Sequence, residues 1–161
     1  MKFLTLNTHS WMEKEAEEKF QLLLQDILDK DYDLICFQEI NQEMTSPEVE
    51  VNNHYQALPS AEPIHQDHYV RLLVEKLAEK GKNYYWTWAY NHIGYDRYHE
   101  GVAILSKTPI KAREILVSDV DDPTDYHTRR VALTETEVEG KELALASVHL
   151  SWWDKGFQEE W

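Results

Sequence analysis

The chain has 161 residues, of which 42% are hydrophobic and 29% charged, and these proportions exclude a disordered or low-complexity protein. Thirty acidic residues against 16 basic ones give a formal net charge of −14, which disfavours non-specific binding to a nucleic-acid duplex but is compatible with a small phosphoester substrate and a divalent cation. The single cysteine, Cys36, excludes a disulfide framework and indicates a reducing cytoplasm. No apolar run approaches the roughly 18 residues of a membrane span.

The first forty residues predict a strand, a helix and a second strand. Residues 2–7 have strand character, and Ser10 with Glu13 matches the S-x-x-E capping box, which predicts that a helix begins there. Apolar side chains then recur at spacings of three and four: Ala16, Phe20, Leu23, Leu24, Ile27 and Leu28. The apolar run 33–37 predicts a strand covered on both faces, so the unit is a βαβ crossover with parallel strands.

The remainder of the chain predicts one more helix and several strands without a repeat or a second-domain boundary. Residues 44–61 have a loop composition, and the apolar positions 70–78 predict a helix that ends near Gly81. Residues 84–90 and 101–105 predict strands, the first rich in aromatic side chains that either pack in the core or stack on a base. Residues 130–137 and 142–149 predict a hairpin around Glu139-Gly140.

Asn7 and Glu39 stand at the carboxyl ends of the two parallel strands, where open α/β sheets bind their ligands. A carboxylate at such a position is solvated, paired with a cation or bound to a metal. Beside an amide, it forms a pair of hard oxygen donors suited to Mg²⁺. His149 follows another strand, and it is either a hydrogen-bonded structural histidine or a donor to a phosphate and a participant in acid–base chemistry.

Four segments in order resemble the endonuclease/exonuclease/phosphatase superfamily, which shares the fold of deoxyribonuclease I, exonuclease III and neutral sphingomyelinases. They are LTLNTHSW, DLICFQEINQ, HEGVAILSKTPI and LASVHLSWW. The resemblance implies a deoxyribonuclease I-like two-sheet α/β sandwich. It also implies hydrolysis of a phosphoester with Mg²⁺, or with Mn²⁺ in its place. The substrate class, whether nucleic acid, lipid headgroup or small molecule, stays open.

The resemblance also assigns roles to particular residues. Glu39 would be a metal ligand, Asn7 would orient the metal or the phosphate, and His149 would contact the scissile phosphate. Further candidates for substrate binding are Arg129, Arg130 and Glu100. Strand alternation lets only one of the two arginines face the site, and Glu100 either lines the pocket or is a surface carboxylate.

The chain departs from the family pattern because it has no G-D-x-N motif and no terminal D-H pair. Its only Asp-His neighbours, Asp67-His68, precede the second helix, and we interpret them as surface residues. We therefore expect residues 1–161 to form the amino-terminal half of a longer catalytic domain. Such a half-sandwich would expose an apolar sheet face and would self-associate or pair with the missing carboxyl-terminal half.

Two other interpretations remain open from the sequence. One is a non-catalytic binding module that keeps the fold without the chemistry. The other is a carbohydrate or soft-metal platform built from the six Trp, nine Tyr and eight His residues, although His65 and His68 are three residues apart and lack the i, i+4 spacing of a helical metal site. Trp152 and Trp153 either flank the site or contact a lipid-like group.

Overall fold

The computed structural model describes residues 1–152 and Glu160, which form two β-sheets and two α-helices. In chain order the elements are β1 (Phe3–Asn7), α1 (Ala16–Lys30), β2 (Leu34–Glu43), β3 (Tyr55–Gln56), α2 (Tyr69–Glu79), β4 (Tyr85–Gly94), β5 (Tyr98–Ser106), β6 (Ile110–Leu116), β7 (Arg130–Val138) and β8 (Lys141–Ser147). A short 3₁₀ turn, Ser10–Met12, lies between β1 and α1. None of the helices in the described residues is long and apolar enough to cross a membrane.

The five-stranded sheet has the order β1-β2-β5-β4-β3. β1 is parallel to β2 and places Asn7 opposite Gln38, so the predicted pair of parallel strands is confirmed. β2 and β4 both pair with β5 in the antiparallel direction. The sheet therefore brings the end of β1 beside the middle of β2, where Glu39 lies.

Helix α1 begins at Ala16, so the prediction of a helix start at Ser10 is wrong. The Ser10 hydroxyl donates instead to the Glu39 carbonyl oxygen at 2.7 Å. The carboxylate of Glu13 binds Lys19 and contacts His9 rather than a backbone amide at a helix start. Ser10 and Glu13 therefore bind residues outside the capping box, and the two side chain–backbone bonds of the box do not form.

The two helices cover one face of the five-stranded sheet, and the second sheet covers the other. The main core joins helix residues to one face of each central strand: Phe20, Leu24, Ile27, Val70, Leu73, Leu77, Ile35, Phe37, Trp86, Trp88, Ala103 and Leu105. A smaller core lies between the sheets: Cys36, Leu58, Ala89, Val102, Ile104 and Ala132. Both faces of β2, β4 and β5 are buried, which explains their continuous apolar runs. The aromatic residues of β4 are mostly core.

The second sheet has the order β6-β7-β8, with both pairs antiparallel. The predicted hairpin is confirmed, with Glu139 and Gly140 at positive φ in its turn. Four exposed charged side chains alternate with inward residues on β6 and β7: Lys111, Arg113, Glu135 and Glu137. The outer face of this sheet thus carries charged residues among apolar ones such as the exposed Ile115, and the expected apolar face and its self-association stay predictions.

His68 is completely buried, so the interpretation of Asp67-His68 as surface residues is wrong. The backbone amide of Arg71 donates to His68 Nδ1 at 3.2 Å, which places the imidazole at the start of α2 as its cap. The His68 ring packs against Trp86 and Trp88. The histidine therefore serves the core at the amino end of the helix.

Candidate functional site

Glu39 lies on a β-bulge within β2 rather than at the end of the strand. The pairing of β2 with β5 shifts between Phe37 and Ile40, and Glu39 has a φ of 55°. A left-handed backbone costs a non-glycine residue about 1–2 kcal/mol, so other contacts must hold it. Ser10 Oγ donates to the Glu39 carbonyl, and the Thr8 amide donates to the Gln38 carbonyl at 3.1 Å. The bulge re-aims the Glu39 side chain towards the end of β1.

The Glu39 carboxylate meets three other polar side chains. Asn7 Nδ2 donates to Glu39 Oε1 at 2.9 Å, and His149 Nε2 lies 3.6 Å from the same oxygen. On the other side, His9 Nε2 lies 4.0 Å from Glu39 Oε2. The structure thus brings together Asn7, Glu39 and His149, which the sequence proposed for one site.

A second polar cluster lies beside the first and contains Glu100 and Arg129. Glu100 is buried, and its Oε1 lies 3.5 Å from His92 Nε2. Arg129 Nη1 lies 3.3 Å from His92 Nδ1, and Arg129 Nε donates to Ser151 Oγ at 3.4 Å. His92 Nδ1 lies 3.3 Å from both this guanidinium and the Thr128 carbonyl oxygen, and the Nε2 side of the ring faces Glu100. Each buried charge in this cluster therefore has a polar partner.

The two arginines point in different directions, as strand alternation requires. Arg129 is buried and lines the pocket beside Glu39 and His149. Arg130 Nη1 donates to the Tyr90 carbonyl oxygen at 3.1 Å, and its Nη2 binds Asp121. The structure therefore brings Arg129 to the site and leaves Arg130 outside it.

These groups converge on a cavity of about 420 Å³, lined by Glu39, His92, Ile93, Gly94, Tyr95, Asp96, Glu100, Thr124, Tyr126, Arg129, His149, Ser151 and Trp152. Burial lowers the pKa of His149 below its usual value and the Arg129 cation lowers it further, while Glu39 and Glu100 oppose the shift. Burial also lowers the pKa of Arg129, which the carboxylates of Glu160, Glu100 and Glu39 oppose. The site thus combines an imidazole that favours its neutral form, a largely buried cation and carboxylates within one small volume.

Sequence reasoning missed His9, His92 and Ser151 at this site. His9 stands two residues beyond Asn7, and this position just after the end of β1 could have identified it as a candidate site residue. His92 pairs with Glu100 across the β4–β5 ladder, but only a strand that continues beyond Tyr90 places it there. The Ser151 hydroxyl contacts both Arg129 and the carboxylate of Glu160, and no local sequence pattern indicates this contact. Trp153 lies outside the described residues.

The donor set at Glu39 is compatible with a hard divalent cation. Within residues 1–152 and Glu160, no three His, Cys, Asp or Glu side chains form a preformed metal cluster. Mg²⁺ does not require one, because it commonly binds through one or two carboxylates together with water and substrate phosphate. Glu39 offers one such carboxylate, and Asn7 orients it by donating from Nδ2 to Oε1, while Asn7 Oδ1 accepts the His9 amide. His65 and His68 do not form a soft-metal pair, since the His65 ring packs on His99 and the His68 ring on the β4 tryptophans.

The fold is that of a phosphoester hydrolase superfamily. The chain belongs to the endonuclease/exonuclease/phosphatase family, whose family model matches residues 11–159. It is similar to the structure of an endonuclease/exonuclease/phosphatase family protein from Leptotrichia buccalis C-1013-b, with 28% identity and a TM-score of 0.84. That match covers 99% of this chain and 58% of the L. buccalis chain.

A second solved structure supports the fold alone. It is an endonuclease/exonuclease/phosphatase from Beutenbergia cavernae DSM 12333, with 14% identity and a TM-score of 0.60, and the match covers 92% of this chain and 37% of that one. No curated protein shows significant sequence similarity to the chain. The expected deoxyribonuclease I-like α/β architecture with two sheets is confirmed.

Proposed function

We propose that this chain supplies the Glu39 side of a site that hydrolyses phosphoesters with Mg²⁺, or with Mn²⁺ in its place. The observation that supports this most directly is the meeting of Asn7, Glu39 and His149 at one carboxylate. These side chains come from β1, β2 and the segment after β8, and Glu39 reaches the site from a bulge with positive φ. A purely structural ion pair would not need three separate elements to converge on a bulge.

Each residue has a distinct role in this proposal. When bound, the divalent cation would offset the negative charge of the phosphate and polarise its P–O bond. Glu39 would hold it, and Asn7 would fix the direction of the Glu39 carboxylate through the bond to Oε1. Burial favours the neutral form of His149, whose ring N–H would donate to a phosphate oxygen.

Arg129 would provide the fixed positive charge of the pocket. Its guanidinium is held by His92 and Ser151, and His92 is in turn set by Glu100, so Glu100 acts through this network rather than on the substrate directly. A buried guanidinium gives strong charge-assisted hydrogen bonds to phosphate. Arg130 has no such role in the proposal, because Tyr90 and Asp121 bind it elsewhere.

We further propose that full activity requires groups beyond these residues. The chain aligns with 58% of the L. buccalis protein, and it lacks the G-D-x-N motif and the terminal D-H pair that the family resemblance leads us to expect. A carboxyl-terminal half, in the same or another chain, would supply the group that activates the attacking water.

Metal binding tests the proposal without requiring turnover. We expect Mn²⁺, measured by calorimetry, to bind the wild-type chain at least tenfold more tightly than Glu39→Gln, because the variant loses the anionic ligand. The matched control is Glu43→Gln on the same strand, whose carboxylate pairs with Arg97 outside the pocket and whose loss should leave Mn²⁺ binding unchanged. Equal Mn²⁺ affinity of Glu39→Gln and wild type would refute the assignment.

The alternative function is a binding module that keeps the fold without the chemistry. The observation in its favour is that the described residues contain no preformed cluster of three metal-ligating side chains. It predicts that inorganic phosphate binds equally well with and without Mg²⁺ and that Glu39→Gln retains this binding. The hydrolase proposal predicts that phosphate binding rises with Mg²⁺ and that Glu39→Gln abolishes this rise.

A further inference from the structure

Three exposed aromatic side chains surround the mouth of the pocket. Among the described residues, four aromatic side chains are more than a third exposed: Phe3, Tyr95, Tyr126 and Trp152. Tyr95, Tyr126 and Trp152, exposed by 66%, 51% and 74%, all line the pocket and come from three separate segments. We call these three residues the aromatic rim. Aromatic residues lose hydrophobic stabilisation when exposed, so their gathering around one cavity needs a reason.

The turn that carries Tyr95 is built at a conformational cost. The amide of Arg97 donates to the Gly94 carbonyl at 3.1 Å, and the two central residues, Tyr95 and Asp96, have φ of 54° and 53°. Tight hairpins with two positive φ angles strongly prefer Asn and Gly at these positions. A bulky tyrosine in the left-handed region is strained, and such strain is concentrated at functional sites.

This strained turn places Tyr95 next to the proposed phosphate site. The Tyr95 hydroxyl lies 3.5 Å from His9 Nε2, and that same nitrogen lies 4.0 Å from Glu39 Oε2. Tyr95 is thus one side chain away from the carboxylate on which the proposed function rests. A ligand whose phosphate occupies the Glu39 site would place its next chemical group against the rim.

The lining of the pocket indicates which group that is. Of the described residues that line it, Ile93 is the sole aliphatic one, while Asp96, Thr124 and Ser151 offer polar atoms. An acyl chain would find little aliphatic surface there. A planar ring with polar edges fits better, because its faces stack on Tyr or Trp and its edges hydrogen-bond to the polar residues.

The size and charge of the protein favour a small ligand over a polymer. The cavity of about 420 Å³ lies at the lower end of the range for small-molecule pockets. The net charge of −14 repels an extended phosphate backbone. We propose that the aromatic rim is a subsite for a planar heteroaromatic ring, carried by a phosphoester of mononucleotide size. This inference rests on the proposed function, since the phosphate of that ligand occupies the Glu39 site.

Binding of matched ligands tests the rim. In calorimetric titrations with MgCl₂, adenosine monophosphate should bind the wild-type chain about tenfold more tightly than ribose 5-phosphate, which carries the phosphate and sugar without the ring. Tyr126→Ala and Trp152→Ala should each lower the affinity for adenosine monophosphate several-fold and leave that for ribose 5-phosphate unchanged. Trp152→Phe should restore most of the preference. Phe3→Ala, which removes the exposed aromatic outside the pocket, should change neither affinity.

The outcomes separate this inference from the proposed function. Three results would refute the aromatic rim as a subsite for a planar ring. They are equal affinity for the two ligands, no binding of adenosine monophosphate, and equal losses of affinity for both ligands in the rim variants. Glu39→Gln should lower the affinities for adenosine monophosphate and for ribose 5-phosphate by the same factor. If Glu39→Gln leaves both affinities unchanged while the preference for adenosine monophosphate persists, the metal site is refuted and the rim is supported.

Discussion

The buried His68 should make the folded state sensitive to mild acid. Burial, with Arg71 and His65 nearby, lowers the pKa of His68 from 6.5 to about 3. Its Nδ1 already accepts the Arg71 amide that caps α2, so protonation there would break the cap and place a charge between Trp86 and Trp88. The unfolded chain accepts this proton near pH 6.5 and the folded chain does not, so stability is lost as the pH falls from about 6.5 towards 3.

The magnitude follows from the shift, since each pH unit in this interval costs about 1.4 kcal/mol. From neutral pH to about pH 4.5, His68 should therefore remove about 3 kcal/mol from the free energy of unfolding. We would measure urea unfolding of the wild type and His68→Asn across this range, because Asn keeps a capping oxygen without the titration. The difference in the free energy of unfolding between the wild type and His68→Asn should change by about 3 kcal/mol between neutral pH and about pH 4.5. Parallel curves would refute the reasoning.

Two further predictions concern backbone geometry. Gly101→Ala should cost more than about 3 kcal/mol, or prevent folding, because the new Cβ would lie 2.0 Å from the Ala89 carbonyl oxygen. Gly94→Ala is its control, since there the nearest atom is a Glu100 carboxylate oxygen at 3.0 Å, the end of a side chain, which needs to shift by only a few tenths of an ångström; equal losses of thermal stability would contradict the steric argument. Tyr95→Asn should raise the free energy of unfolding by about 1 kcal/mol, because Asn tolerates the left-handed turn. A destabilised Tyr95→Asn variant would show that the turn is not strained.

Elements with a strong local pattern could be predicted from the sequence. The βαβ unit followed from the apolar periodicity of α1 between two short apolar runs, and the β7–β8 hairpin followed from Glu139-Gly140 between alternating segments. The start of α1 could not be predicted, because Ser10 bonds to Glu39, a residue 29 positions away. Strand β6 was missed because only its pairing with β7 makes an alternating charged segment a strand.

The sequence could predict the main polar residues of the candidate site, but it could not predict the contacts that hold them in place. Asn7 and Glu39 could be placed together because β1 and β2 are neighbouring parallel strands, although Glu39 lies on a bulge and not at the strand end that the sequence predicted. Alternation required the two adjacent arginines to face opposite sides, but the phase of β7 relative to the pocket depends on its packing against β4. The role of His92 depends on the register shift between Tyr90 and His92, which is a tertiary feature. Bulges of this kind leave no clear trace in a hydrophobic pattern.

Backbone strain is concentrated around the pocket. Eight described non-glycine residues have positive φ, and five of them line the pocket or contact its lining: His9, Ser10, Glu39, Tyr95 and Asp96. Each such residue costs about 1–2 kcal/mol, so the arrangement persists only because the doubly covered sheet supplies enough stability to hold it. If these conformations served stability alone, Gly or Asn would be expected there. The strain instead places a carboxylate and an aromatic ring on the same cavity, and this supports one site with two subsites.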